Sequence, residues 1–122
     1  MSMDVNELII TTLSPLNYPI DMDKYNPSVG EVPSPIYITF NYEDDRGEVF
    51  ADNKPKVDIA YIQIHLFAPE SFNYMLLKKQ IRSKLFKAGF TYAKVTQRHE
   101  TDTKINHIIF QCEISGKSET EE

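Results

Sequence analysis

The sequence predicts an α+β domain whose sheet is largely antiparallel. Segments with the two-residue alternation of strands and segments with the spacing of amphipathic helices follow one another in the order α-β-β-β-α-β-β. This order lacks the regular alternation of strands and helices that builds parallel sheets. The strands are therefore expected to pair mainly through hairpins, with the helices packed on the sheet.

The length and composition suit one compact unit. The chain has 122 residues, of which 41% are hydrophobic and 25% are charged, and its formal net charge is −5. A chain of this length buries roughly two-thirds of the surface that its unfolded form exposes. We therefore expect a single domain over residues 1–115 and a disordered polar tail over residues 116–122.

The composition and the sequence pattern of the chain also argue against several classes of protein. One cysteine allows neither an internal disulfide framework nor a zinc site built from several cysteines. The chain has no signal-peptide pattern at its start and no apolar run long enough to span a bilayer, so we expect an intracellular protein with no membrane partner. The acidic net charge argues against a surface devoted to binding nucleic acid.

The first predicted helix spans Val5 to Leu13. Asp4 and Glu7 have the spacing of an N-cap residue and the third residue of a helix, close to a capping box. Pro15 limits the helix, because the residue before a proline is pushed towards extended geometry. One short strand, at about Tyr18–Met22, is expected before a loop rich in proline.

The middle of the chain predicts two long strands. Alternating apolar positions run from Ile36 to Glu43 and again from about Lys56 to Phe67. The polar segment between them, Asp44–Pro55, is too long for a tight turn. The second strand would extend about 40 Å, whereas a globule of this length has a radius of gyration of about 14 Å. The hairpin should therefore reach past the body of the domain unless it bends.

The second predicted helix runs from about Glu70 to Ala88. Gly89 follows it, in the position of a left-handed helix cap. Two more strands are expected at about Phe90–His99 and Ile105–Ser115. One apolar stripe of the helix is expected to face the core, and it consists of Tyr74, Leu77, Ile81, Leu85 and Ala88.

The residues that could carry chemistry form no recognised site. His99, Glu100, Asp102 and His107 lie close along the chain around a predicted turn, but their spacing matches no established metal site. Cys112 alternates with apolar residues, which indicates a buried core position rather than a nucleophile. The sequence therefore predicts no enzyme, no catalytic residue, no cofactor and no bound metal.

Three surface features are less ordinary. The second helix carries five cations within ten residues, and the segment joining the long strands carries an acidic block. Either is ordinarily a solvated face, but the two could instead meet between neighbouring copies of the chain. Phe72, Met75, Leu76 and Phe86 lie away from the core stripe, where either the first helix or a partner would cover them. The candidate residues for a subunit interface are Glu43, Asp44, Asp45, Phe50, Phe72, Leu76, Lys79, Arg82 and Phe86.

Four stretches of the sequence carry a resemblance to a known family. They are the opening ELIITTLSPLNYPI, the strand YITFNYEDDRGEVFADNKP running into YIQIHLF, the helix end LFKAGF and the late segment ETDTKINHIIFQC. Together they cover most of the chain. In this order they resemble the small tail terminator, or tail completion, proteins of siphophages and related prophages in Gram-positive bacteria.

The resemblance implies a structural, non-enzymatic part of a virion tail or neck, assembled in the cytoplasm of the bacterial host. Members of the family form a ring, typically a hexamer, on the head-proximal end of the tail tube. The ring stops growth of the tube protein and offers a surface to the connector, or stopper, protein on the head, and DNA passes through its lumen without specific binding.

Three alternatives stay open at this point. The chain could be another neck component, such as a head completion or stopper protein. It could be a small intracellular enzyme or ligand-binding domain with a site built from scattered residues. It could also be a monomeric α+β adaptor.

Overall fold

The computed structural model describes the backbone of residues 4–51 and 54–117, and the side chains of residues 4–43 and 59–116. The predicted α+β class and order of elements are confirmed. A short 3₁₀ turn, Ser14–Leu16, follows the first helix. The two helices and five strands are α1 (Val5–Leu13), β1 (Ile20–Met22), β2 (Tyr37–Ala51), β3 (Lys54–Pro69), α2 (Met75–Lys87), β4 (Lys94–Glu100) and β5 (Ile105–Lys117).

The five strands form one sheet in the order β1-β2-β3-β5-β4. Among the strands of the described residues, only β1 and β2 are parallel, through three residue pairs, and the other neighbours are antiparallel. β2 and β3 form the longest pair, with 15 and 16 residues. The mainly antiparallel sheet that the sequence predicts is therefore present, with one short parallel strand added at its edge.

Both helices pack on the same face of the sheet. Ile9 from α1 and Ile81 from α2 are fully buried against Phe40, Ile64 and Phe110 of the sheet's inner face. Burying a side chain of this size contributes about 1.5–3 kcal/mol relative to leaving it exposed. The apolar positions that alternate along β2, β3 and β5 thus form the core, while the intervening positions lie on the other face.

The first helix begins as predicted. The side chain of Asp4 accepts a hydrogen bond from the backbone N–H of Glu7, at 3.1 Å, and so satisfies one of the free donors of the first turn. Val5, Ile9 and Leu13 are buried at helical spacing. The predicted N-cap and the predicted span of α1 are both correct.

The second helix is shorter than predicted. The backbone N–H of Phe72 donates to the carbonyl of Pro69 at 3.0 Å, which closes a turn, and the Asn73 side chain accepts from the N–H of Met75. This local bonding delays the helix to Met75, so Phe72 precedes it and packs partly buried against the core. At the other end Gly89 has a φ of 113°, as the predicted left-handed cap requires.

The expected long connection between β2 and β3 is wrong. Their pairing continues to Ala51 opposite Lys54, so only residues 52 and 53, outside the described residues, separate the two strands. The polar side chains in this region suggest a loop, but backbone pairing in a hairpin does not require apolar residues. A β-bulge at Tyr42–Asp44 shifts the register of the hairpin, which bends and twists the strand there.

Two other boundaries move. β4 begins at Lys94, and the expected strand residues Phe90 and Ala93 are instead buried in the segment that leads to it. β5 continues to Lys117, which pairs with Val57, so the strand extends into the expected tail. The rest of that tail, residues 118–122, lies outside the described residues. Within the described part of the chain, no helix is long and apolar enough to cross a membrane.

Candidate interaction surfaces

The sheet face opposite to the helices carries a line of aromatic rings. Tyr25, from the loop after β1, stacks on Tyr37 with ring centroids 4.5 Å apart, and Tyr37 stacks on Phe67 at 4.9 Å. Phe67 stacks in turn on His107 at 4.3 Å. These four half-buried rings cross β2, β3 and β5, and we call this surface the open face.

A chain of hydrogen bonds runs beside the rings. His65 Nε2 lies 2.6 Å from Asn41 Oδ1, and His65 Nδ1 lies 2.7 Å from His107 Nε2. Because Asn41 Oδ1 can only accept a hydrogen bond, Nε2 of His65 must carry the proton that it donates. The Nδ1 atom of His65 then accepts the N–H of His107, so the network holds both imidazoles in defined tautomers.

Both of these histidines are held in the neutral form. Burial, with a smaller effect of the neighbouring His107, lowers the pKa of His65 to about 4. Burial also lowers the pKa of His107, although Glu100 opposes that shift. Near neutral pH the pair is therefore an uncharged hydrogen-bonded unit.

The carboxylate of Glu43 lies at the end of the same face. It sits in the β-bulge of β2 and accepts hydrogen bonds from Gln63 Nε2 at 3.4 Å and from Gln111 Nε2 at 3.2 Å. These amides come from β3 and β5, so Glu43 joins three strands. Glu43, one of the candidate interface residues, is therefore hydrogen-bonded within its own chain, and its side chain is still exposed.

The structure separates His99 from His107, although the two lie close along the chain. His99 Nε2 lies 2.8 Å from Glu70 Oε2, whereas His107 is bonded to His65 on the open face. In residues 4–51 and 54–117, no three side chains of His, Cys, Asp or Glu are placed to hold a metal. Cys112 is 7% exposed, and burial, with a smaller effect of Glu113, raises the pKa of its thiol to about 12.

The outer side of α2 is apolar and cationic. Leu77, Ile81 and Leu85 face the core, but Leu76 and Phe86 are 67% and 57% exposed. The first helix contacts α2 without covering these two residues. Beside them lies a groove of about 480 Å³, which is lined by Met75, Lys78, Lys79, Arg82, Ser83, Phe86, Lys87 and Tyr92.

Arg82 is fixed in this groove. Its Nε donates to the carbonyl of Ala93 at 2.9 Å, and its guanidinium carbon lies 4.2 Å from the centroid of the Tyr92 ring. The rings of Phe86 and Tyr92 pack edge to face, with their centroids 5.7 Å apart. Sequence analysis missed Tyr92, because a tyrosine in the segment before a strand has no periodic signal.

The groove lies at the β4 end of the sheet. Tyr92 and Ala93 directly precede β4, and the Tyr74 hydroxyl donates to the side chain of Gln97 in β4. The first helix lies at the other end, where Asn6 accepts a 2.6 Å hydrogen bond from the Tyr42 hydroxyl of β2. The two ends of the sheet therefore present different surfaces.

The remaining candidate interface residues divide into three groups. Lys79 is exposed beside the groove, and Phe72 is largely taken up by the core. Asp44 and Asp45 lie in β2 opposite Tyr61 and Ala60, and Phe50 lies opposite Pro55. The side chains of Asp44, Asp45 and Phe50 are outside the described part of the chain, so their contacts stay predictions.

Comparison with known proteins supports the architecture. No family model and no curated protein matches the sequence. Among the solved structures that are similar to the chain, one has a TM-score of 0.59 and 9% sequence identity, over 99% of this chain and 100% of the other. At this identity the similarity supports the shared fold alone.

Proposed function

We propose that this chain is a phage tail terminator that assembles into a ring, typically a hexamer, at the head-proximal end of a tail tube. The ring stops growth of the tube and then binds the connector protein of the head. The protein acts as a structural part of the virion tail and not as an enzyme. The proposal rests on the sequence resemblance together with the surfaces of the folded chain.

One observation carries most of the proposal. Met75 and Phe86 are 48% and 57% exposed and line the α2 groove together with Lys79, Lys87 and the fixed Arg82, and Leu76 is 67% exposed on the same helix. Large apolar side chains that cluster at the surface and are bordered by charges are typical of protein–protein contacts. Leu76, Phe86 and Met75 would supply most of the affinity of a subunit contact, while the cations would orient it.

The unlike ends of the sheet favour a ring over a two-fold dimer. A ring needs a heterologous contact, in which two different patches of the same chain meet. The α2 groove lies at the β4 end, and the acidic block of the sequence lies in β2, at the opposite end of the sheet order. A head-to-tail contact between these ends would place each copy in the same relation to the next.

The path of DNA fits the same arrangement. The basic helix packs on the inner face of the sheet, whereas the open face carries neutral rings, amides and Glu43, and, on β4, Lys94, Arg98 and Glu100. If the open faces line the lumen, the five cations of α2 lie away from the passing DNA. A lumen without the basic helix would let the duplex slide.

Deletion of the gene from its prophage or phage tests the proposal. Electron microscopy of the lysate should then show filled heads without tails and tubes of uncontrolled length, and the wild-type gene should restore joined particles. Tails of normal length that stay separate from leaking heads would instead identify the chain as a head completion or stopper protein. Normal joined particles would contradict both assignments.

A further inference from the structure

We propose that the free edge of β2 in one copy pairs antiparallel with β4 of the next copy, so that the sheet continues from subunit to subunit. This inference rests on the proposed ring and names the strands that join it. It adds a backbone contact to the side-chain contact at the α2 groove. The two edges follow from the strand pairings of the sheet, independently of the exposed apolar residues.

The first edge belongs to β2. The short strand β1 pairs with β2 only at Ile38, Thr39 and Phe40. Beyond Phe40, no strand among the described residues pairs with that side of β2, which continues to Ala51. Such an edge presents a row of backbone donors and acceptors that can accept another strand.

The second edge belongs to β4, at the other end of the sheet. Its seven residues pair with β5 on one side, and on the other side no strand among the described residues pairs with it. All of its residues are exposed except Val95, which is partly buried. The stretch of β2 over residues 43–51 is longer than the seven residues of β4 and can therefore accept the whole of that strand.

The strand directions fit an antiparallel junction. β3 runs antiparallel to β2, β5 runs antiparallel to β3, and β4 runs antiparallel to β5. β4 therefore runs opposite to β2. Rotating a second copy about an axis parallel to the strands does not change the direction of its strands. The β2 strand of the second copy therefore still runs opposite to the β4 strand of the first copy, as antiparallel pairing requires.

The charges on the two edges favour unlike over like pairing. From Glu43 to Ala51, β2 carries four acids and one arginine, whereas β4 carries Lys94 and Arg98 against Glu100. Two β2 edges would bring acids together, and like charges placed opposite each other destabilise a sheet. A β2 edge against β4 pairs the acidic stretch of β2 with a strand that carries two cations, Lys94 and Arg98.

Proline scanning of β4 tests the backbone contact. Successive backbone N–H groups of a strand point to opposite sides. Thr96 and Gln97 are adjacent, so one of the variants Thr96→Pro and Gln97→Pro removes an N–H that donates to β5, and the other removes an N–H at the free edge. The variant with the free-edge proline should keep the thermal stability of the monomer and lose ring assembly completely. Thr96→Ala and Gln97→Ala are the matched controls, and both should assemble. Assembly of a folded proline variant would overturn the inference.

Charge exchange gives a second test that does not depend on proline. Asp44→Lys with Asp45→Lys makes one variant, and Lys94→Glu with Arg98→Glu makes the other. Each should fail to assemble alone, because its own edges repel, and an equimolar mixture should form rings in which the two variants alternate. A mixture that stays monomeric, or single variants that assemble as the wild type does, would overturn the pairing.

The tests separate this inference from the proposed function. If the wild-type chain forms rings and the free-edge proline variant forms them too, the strand pairing is wrong but the ring stands. If the wild-type chain forms no ring and its deletion leaves normal tails, the proposed function itself fails.

Discussion

His65 and His107 share one hydrogen bond between β3 and β5, with Nδ1 of the first 2.7 Å from Nε2 of the second. One proton lies between these nitrogens, and Asn41 fixes which ring donates it. Protonating His65 at Nδ1 would point two N–H donors at each other. The open face is therefore sensitive to acid at this pair.

This arrangement predicts a loss of stability between pH 6.5 and pH 4. The pKa of His65 is about 4 in the folded chain, below its ordinary value of 6.5, so the unfolded chain binds the proton first. The stabilisation is present above pH 6.5 and is lost as the pH falls through the folded pKa. Because His65 is only half-buried, solvent screens part of this effect, and the loss of unfolding free energy is roughly 1–2 kcal/mol.

Urea unfolding of the wild type and of His65→Gln at several pH values measures this effect. The wild type should lose more unfolding free energy than His65→Gln between pH 7 and pH 4.5. His99→Gln, which removes an exposed imidazole bonded to Glu70 instead, is the matched control and should follow the wild type. Parallel curves for all three proteins would show that His65 is not held neutral by the fold.

The adjacent residues Leu76 and Leu77 should separate assembly from folding. Leu76 is 67% exposed, so Leu76→Asp should leave the monomer folded and block assembly. Leu77 is 4% exposed, so Leu77→Ala should cost about 2–5 kcal/mol of stability. Circular dichroism with thermal melting and light scattering measure the two effects. A Leu76→Asp variant that unfolds outright would place Leu76 in the core instead.

Cys112 should be inert in the folded protein. Its thiol is buried and its pKa is raised to about 12, so almost no thiolate is present near neutral pH. A thiol reagent should label it slowly in buffer and rapidly in denaturant. Cys112→Ala should cost about 1 kcal/mol, and Cys112→Ser more, because the hydroxyl needs a hydrogen-bond partner. Rapid labelling of the native chain would contradict its burial.

The ring should not bind duplex DNA at physiological salt. Binding to phosphates depends on clustered cations, and the five on α2 lie on the helix side of the sheet rather than on the open face. Fluorescence anisotropy with a labelled duplex should therefore show no measurable binding. Micromolar binding that weakens steeply with salt, and that disappears when the α2 cations are neutralised, would place this helix in the channel wall.

The core was predictable because it depends on periodicity. The stripe Leu77, Ile81 and Leu85 and the alternation from Ile38 to Tyr42 both follow from the geometry of one element at a time. The same holds for the N-cap at Asp4, whose bond is local in the chain. Features that one helix or strand decides by itself can therefore be inferred from the sequence.

The surfaces were less predictable because they combine distant segments. The bond between His65 and His107 joins residues on two strands, and its geometry depends on the register of β3 and β5. Arg82 was a candidate from its charge alone, but its contacts with Tyr92 and Ala93 depend on how the chain returns after α2. Within the β2–β3 hairpin, the polar segment Asp44–Pro55 predicts a long connection instead of paired strands, since polar composition conceals strand pairing.

The central claim is that the chain closes into a ring through unlike surfaces. Native mass spectrometry combined with electron microscopy of the purified protein, at the highest concentration reached and on isolated tail tubes, measures this directly. The account predicts a closed ring of identical subunits with an open lumen, typically six, and its loss in Leu76→Asp. A protein that stays monomeric under both conditions, or that stops at a two-fold dimer, would contradict it.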